Sequence, residues 1–192
     1  MNAETFEHNG FKVTIMVDDW PDNPREEFDH LGEILYISGR YLLGDRVMKQ
    51  DEIEAIAKEK DTIFLPVYAY IHSGVALSTE GFADPFDSGQ CGIIYCKKEK
   101  AKEYFPNLSG NKLREKVKEV FESEIEVFTH YLSGAVYGYR VEGRVGEQDS
   151  CWGFYGYEAV MEAAKESADN CTIYESCAAE GPSCDAQGEV AC

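Results

Sequence analysis

The chain is short of basic residues, has no long apolar run and lacks the compact motifs that announce a cofactor. Lysine and arginine number 18 against 36 aspartates and glutamates, a formal net charge of −18 over 192 residues. A surface of that sign repels nucleic acid and anionic membranes and attracts basic partners. Direct contact with nucleic acid or membrane is therefore not expected. No stretch approaches the roughly 18 apolar residues of a membrane-spanning helix. There is no Gly-rich phosphate loop of Walker or dinucleotide type and no HExxH pair. The seven cysteines are an odd number, which excludes a complete intramolecular disulfide framework. The last four, Cys171, Cys177, Cys184 and Cys192, have five, six and seven residues between successive members, wider than the pairs of structural zinc sites. No metal and no cofactor is expected. Residues 1–10 carry Glu4 and Glu7 and no apolar core. No leader is expected, and the expected location is the cytoplasm, where thiols stay reduced.

What is present is enough to build a core. Hydrophobic residues make up 44% and aromatics 12%, and the length fits one domain. Phe11–Val17 and Leu31–Ser38 read as strands on either side of an acidic connection, DDWPDNPREEFD, in which Trp20 is expected to pin the loop to the body. A short helix follows over Gln50–Lys58, with acids in its first turn and lysines at its end. Ile63–Ile71, Val75–Ser78 and Cys91–Cys96 are β-branched and aromatic strands around a Gly-, Asp- and Pro-rich turn. Lys97–Tyr104 reads as a short helix. Leu113, Val117, Val120, Phe121, Ile125, Phe128 and Leu132 then recur at helical spacing and predict a long amphipathic helix, with Ser109 or Asn111 as its cap. Gly134–Val141 and Asp149–Trp152 predict a hairpin, and Tyr157–Ser167 a last helix. The expected class is α+β, a mostly antiparallel sheet with the long helix and shorter helices packed on one face. A single domain is expected over 1–167, and an acidic, Cys-containing, flexible tail over 168–192.

Two sets of residues carry chemistry. His72, Ser73, Asp84 and Asp87 hold the groups of a hydrolytic or metal-binding cluster, yet HSG and DPFDSG are also ordinary turn sequences. A cysteine nucleophile, Cys91 or Cys151 with His72, is a further possibility; the apolar strand around Cys151 predicts a buried structural thiol instead. Cys91 and Cys96, five apart on one strand, should face opposite ways. The second set is acidic: Asp18, Asp19, Asp22, Glu26 and Glu27 crowd one loop with Trp20. Glu158, Glu162, Glu166 and Asp169 follow at helical spacing, where like charges repel by a few tenths of a kcal/mol per pair. The one basic cluster, between Lys97 and Lys118, is interleaved with glutamates and reads as a solvated face.

Leu31-Gly32, Arg40-Tyr41, Leu43-Gly44-Asp45, Leu65-Pro66, His72-Ser73-Gly74, DSGQ at 87–90 and DSCWGFYG at 149–156 together resemble a family of small proteins carried by bacteriophages, prophages and plasmids of bacteria. The resemblance spans about Phe11 to Tyr157. It implies a mobile-element origin and a host bacterial cytoplasm, and assigns no catalytic role. Cys91 stands where that pattern has a small apolar residue. Charge and resemblance together lead to one expectation: an acidic inhibitor of a host nucleic-acid-targeting defence nuclease, of the anti-CRISPR or anti-restriction kind. It would bind the positively charged surface of that nuclease through Asp18, Asp19, Trp20, Asp22, Glu26 and Glu27. The alternative is a small hydrolase or nuclease using His72 with Asp84 and Asp87, or a Cys nucleophile.

Overall fold

A computed structural model of the protein describes residues 3–37, 39–72 and 74–179, with side chains as far as residue 171. In chain order the elements are β1 (Glu4–His8), β2 (Phe11–Val17), α1 (Pro24–Glu27), β3 (Glu33–Ile37), β4 (Arg46–Met48), α2 (Gln50–Ala57), β5 (Thr62–Ile71), β6 (Val75–Ser78), β7 (Ser88–Lys97), α3 (Lys98–Tyr104), α4 (Gly110–Ser133), β8 (Val136–Gly143), β9 (Gly146–Tyr155) and α5 (Tyr157–Ala179). The class is α+β, as expected. The single sheet is not: the strands form two, a four-stranded sheet in the order β1-β2-β8-β9 and a five-stranded sheet in the order β4-β3-β7-β5-β6. The described residues accordingly fall into two compact units, 3–17 with 137–179 and 18–136.

In the first unit Asn9 and Gly10, both with positive φ, reverse the chain between β1 and β2, the Asn-Gly signature of a two-residue hairpin. Along β2, Phe11, Val13 and Ile15 are buried and Lys12, Thr14 and Met16 are not, the two-residue period of a sheet with one covered face. That face meets α5 through Val160, Ala164 and Ala168. The last helix therefore does not stop at Ser167. It continues to Ala179, with Ala168 fully buried and Cys171 half-buried against the same cluster. Small residues at four-residue spacing let the helix approach the sheet closely, and they carry little apolar signal in the sequence. The expected tail beyond residue 179, with Cys184 and Cys192, lies outside the described residues, as does the side chain of Cys177.

The second unit is built on β7. Gly92 pairs with Val67 on one side and Tyr36 on the other, and a Cβ there would sit 1.9 Å from the Leu35 carbonyl oxygen, so a glycine is required for β3 and β7 to pair this closely. On one face Leu113, Val117, Phe121, Ile125 and Phe128 of α4 bury themselves against Ile34, Ile63, Val67 and Ile94. Gly134, left-handed at φ 72°, ends the helix. Ser109 occupies the cap position but its side chain forms no capping bond. The opposite face carries α2, whose Ile53 packs on Leu35 and Ile93. Helices thus cover both faces of this sheet rather than one. Leu35 between Ile34 and Tyr36, all three buried, is the local sign of a strand covered on both sides. Thr129 of α4 closes the edge by exchanging two 3.0 Å hydrogen bonds with the Leu77 backbone of β6.

Candidate functional site

The acidic loop is clamped at its base and displayed at its rim. Asn23 caps α1, its side-chain oxygen accepting from the Arg25 amide at 3.1 Å, and Pro24 at the first helical turn is buried. The side chain of Arg25 is only 4% exposed. Its Nε and Nη2 donate to the two oxygens of Asp45 at 2.9 and 2.5 Å, Nη1 donates to Glu124 at 3.2 Å, and Nη2 donates also to the Gly32 carbonyl at 2.7 Å. Burial alone would lower the pKa of this guanidinium. The hydrogen bonds and charges of Asp45 and then Glu124 outweigh it, and the net shift is upward. The carboxylates are used a second time: Asp45 accepts from the Ile34 amide and Glu124 from the Leu31 and Gly32 amides. One arginine thereby ties the loop to α4 and to the start of β3. His30 Nε2 donates to the Pro24 carbonyl at 2.6 Å and fixes the far end.

Outside this clamp Asp19, Asp22, Glu26 and Glu27 are exposed, and Asp18 is half-buried. Asp18 accepts from the Trp20 amide at 3.0 Å in an Asx turn, and Glu26 accepts from the Asn23 amide group at 2.8 Å. Trp20 does not pin the loop to the body: it is 91% exposed. The pin is Arg25. Sequence reasoning misses it because it is one cation in an acidic run, and its partners lie 20 and 99 positions away.

The central turn brings together only part of the expected cluster. His72 Nδ1 donates to Asp87 Oδ2 at 2.8 Å, with side chains 66% and 37% exposed, and the His72 ring stacks beside Tyr70. Asp84 does not join them. Its carboxylate accepts from the Phe86 amide and its carbonyl from the Ser88 hydroxyl, the turn role that the local sequence also allows. Ser73 lies outside the described residues. Beside His72 opens a cavity of about 740 Å³, inside the size range of small-molecule sites. Arg40, Tyr41 and Tyr131 line it, with Val75 and Phe128 as apolar wall and Arg25 with Asp45 at its side.

Among the described residues, Cys91 and Cys96 are not set up as nucleophiles. Cys91 is the unmatched residue of a bulge in β7, between Gln90, which faces Tyr68, and Gly92, which faces Val67. The bulge resets the alternation, so Cys91 and Cys96 pack on the same core cluster and not on opposite faces. Burial pushes both thiols up to about 11, the reverse of what a thiolate nucleophile needs. Cys151 is exposed, contrary to the buried thiol expected, and belongs to the other unit. Among the described residues no three His, Cys, Asp or Glu side chains converge to hold a metal ion, and no helix is long and apolar enough to cross a membrane. The lysines at 97, 98, 100 and 116 are engaged by Glu59, the Lys60 carbonyl, the His30 carbonyl and Glu119. Comparison with protein-family models, with curated proteins and with solved structures finds no match.

Proposed function

We propose that the protein is an acidic inhibitor that binds the positively charged nucleic-acid surface of a host defence nuclease, with the loop from Asp18 to Glu27 as its binding element. The observation that carries this reading is the 91% exposure of Trp20 among exposed carboxylates on a clamped loop. A tryptophan left in water forgoes a large burial gain, and tryptophan dominates binding hot spots. Solubility alone accounts for the acids and not for the indole. The acids supply attraction toward a cationic channel of the kind nucleases use for their substrates, mainly by faster encounter. The Arg25 clamp holds the loop in place before contact, which lowers the ordering cost of association. The likeness to proteins of phages and plasmids supports a defence nuclease as the target.

The test is inhibition and binding of purified RNA-guided and restriction nucleases. Trp20→Ala should slow no encounter but shorten the complex lifetime. The five-acid variant (Asp18, Asp19 and Asp22→Asn; Glu26 and Glu27→Gln) should associate more slowly. If every nuclease tested is bound by neither the protein nor its variants, the reading is wrong. A second reading, hydrolysis with His72 as general base, is favoured by one observation: Asp87 orients the imidazole through Nδ1 beside the cavity. Loss of inhibition in a folded His72→Ala protein, with Trp20→Ala still active, would select it.

A further inference from the structure

We propose that the cavity beside the central turn binds a small organic anion with a flat ring, of the class of a nucleoside monophosphate or an aryl phosphate. The proposal goes beyond the partner-binding reading and does not depend on it. One guanidinium, that of Arg40, decides where an anionic group of the ligand would sit. Arg25 contributes no net cation, because Asp45 and Glu124 are bonded to it. Glu26 keeps its negative charge, bonded only to the neutral Asn23 amide group, so the ligand's anionic group belongs at Arg40 and away from Glu26. Arg40 remains as a cation with no carboxylate partner among the described residues; its guanidinium lies over the Tyr41 ring, 5.5 Å from the centroid. A guanidinium so placed presents a fork of donors that matches a phosphate or carboxylate. At that position a cationic group would meet Arg40 as a like charge, and an uncharged one would leave its donors unmatched.

The walls decide the ligand's body. Phe128 and Tyr131 lie nearly parallel, 11° apart with centroids separated by 6.2 Å, and Val75 completes an apolar side. The Tyr41 and Tyr131 hydroxyls have no hydrogen-bond partner among the described residues. His72, committed at Nδ1 to Asp87, keeps Nε2 for a ligand. This combination of stacking surface, unpaired hydroxyls and one unpaired guanidinium fits a planar ring carrying an anionic group. The net charge of −18 opposes anions at a distance, but that field is screened beyond about 10 Å at 0.1 M salt, and the contacts inside the cavity then set the affinity.

The experiment is calorimetric titration of the full chain at 0.15 M salt with adenosine 5′-monophosphate, phenyl phosphate and benzoate, and with adenosine and phenol as uncharged counterparts. The phosphates should bind with saturation below about 1 mM and the uncharged counterparts about tenfold more weakly or worse. Benzoate separates a phosphate requirement from a general anion requirement. Arg40→Gln should weaken phosphate binding about tenfold. Gly74→Leu should abolish it, because a side chain at Gly74 meets open space at the cavity wall and leaves the packing intact. Trp20→Ala should leave it unchanged, so this site and the partner-binding loop can fail separately. Absence of binding by all three anions at 5 mM would overturn the proposal. So would binding that Arg40→Gln and Gly74→Leu both leave intact, or adenosine binding as tightly as its monophosphate.

Discussion

In the unit that carries the acidic loop, a buried cation, Arg25, is held by two carboxylates. In the other unit a half-buried carboxylate, Asp149, is held by two buried hydroxyls: Tyr139 donates to it at 2.8 Å and Ser167 at 2.5 Å. Both networks fasten one element to another, the loop to α4 and β3 in the first and α5 to β8 and β9 in the second. They differ in what is left when one member is removed. Without Arg25 two carboxylates lose their counter-charge in a partly buried place. Without Asp149 two hydroxyls merely lose an acceptor. Charge therefore makes the first clamp less forgiving of the loss of one member, and the loop it holds carries acids that repel one another.

The largest expected effect follows from this difference. Arg25→Met should destabilise the protein by roughly 3–5 kcal/mol, the range for breaking a buried pair from one side, read as a shift in a denaturant titration. A loss under about 1 kcal/mol would mean that the carboxylates are solvated without their arginine and that the clamp is not what holds the loop.

Asp149→Ala should cost less, about 2–3 kcal/mol, because it leaves the buried Tyr139 and Ser167 hydroxyls unsatisfied without stranding a charge. This network also has a pH signature. Ser167 first, then Tyr139, lowers the Asp149 pKa below the ordinary carboxylate value, while burial pushes Tyr139 up to about 12. A depressed folded pKa means that the stabilisation is present above the unfolded value of about 4 and is lost as pH falls through the folded one. The wild-type protein should thus lose more stability than Asp149→Ala between about pH 5 and pH 2. Parallel pH profiles for the two would contradict the assignment.

How much of this is legible in the sequence divides along the same line. The stripe from Leu113 to Phe128 and the strands β5, β6 and β7 follow from local periodicity and are readable. The division into two sheets is not, because β2 pairs with β8 across most of the chain, Val13 opposite Val141. β1 escapes notice although Asn9-Gly10 signals its hairpin, and β4, three residues long, carries no periodicity. Asp149 stands in a motif the sequence singles out. Arg25 does not, and its two carboxylate partners become visible only once α4 and the segment before β4 are folded around it. The Asp-Ser pairs at 87 and 149 make the same point: identical dipeptides, one holding an exposed imidazole beside a cavity and the other stapling a helix.

That last contrast predicts a smaller effect. Asp87→Ala should change stability by less than about 1 kcal/mol, since its partner is an exposed histidine. A loss comparable to that of Asp149→Ala would make both aspartates structural and weaken the case for a cavity site. Smallest of all, the five-acid variant should alter stability by about 0.5 kcal/mol at most and in the stabilising direction. The substitutions relieve repulsion, while the side-chain amide oxygens introduced at positions 18 and 26 can still accept the hydrogen bonds that Asp18 and Glu26 accept. A denaturant titration of that variant reads the change, and a loss above about 1 kcal/mol would mean that the acids hold the loop together rather than strain it.

The central claim is that the clamped loop binds a cationic partner, and one measurement addresses it directly: the association and dissociation rates of the protein on an immobilised, purified nuclease that it inhibits, between about 50 and 500 mM salt. The account predicts that association falls steeply with salt for the wild type and weakly for the five-acid variant, while Trp20→Ala changes the dissociation rate alone by about tenfold or more. Rates indifferent to salt, to the five acids and to Trp20 would contradict it.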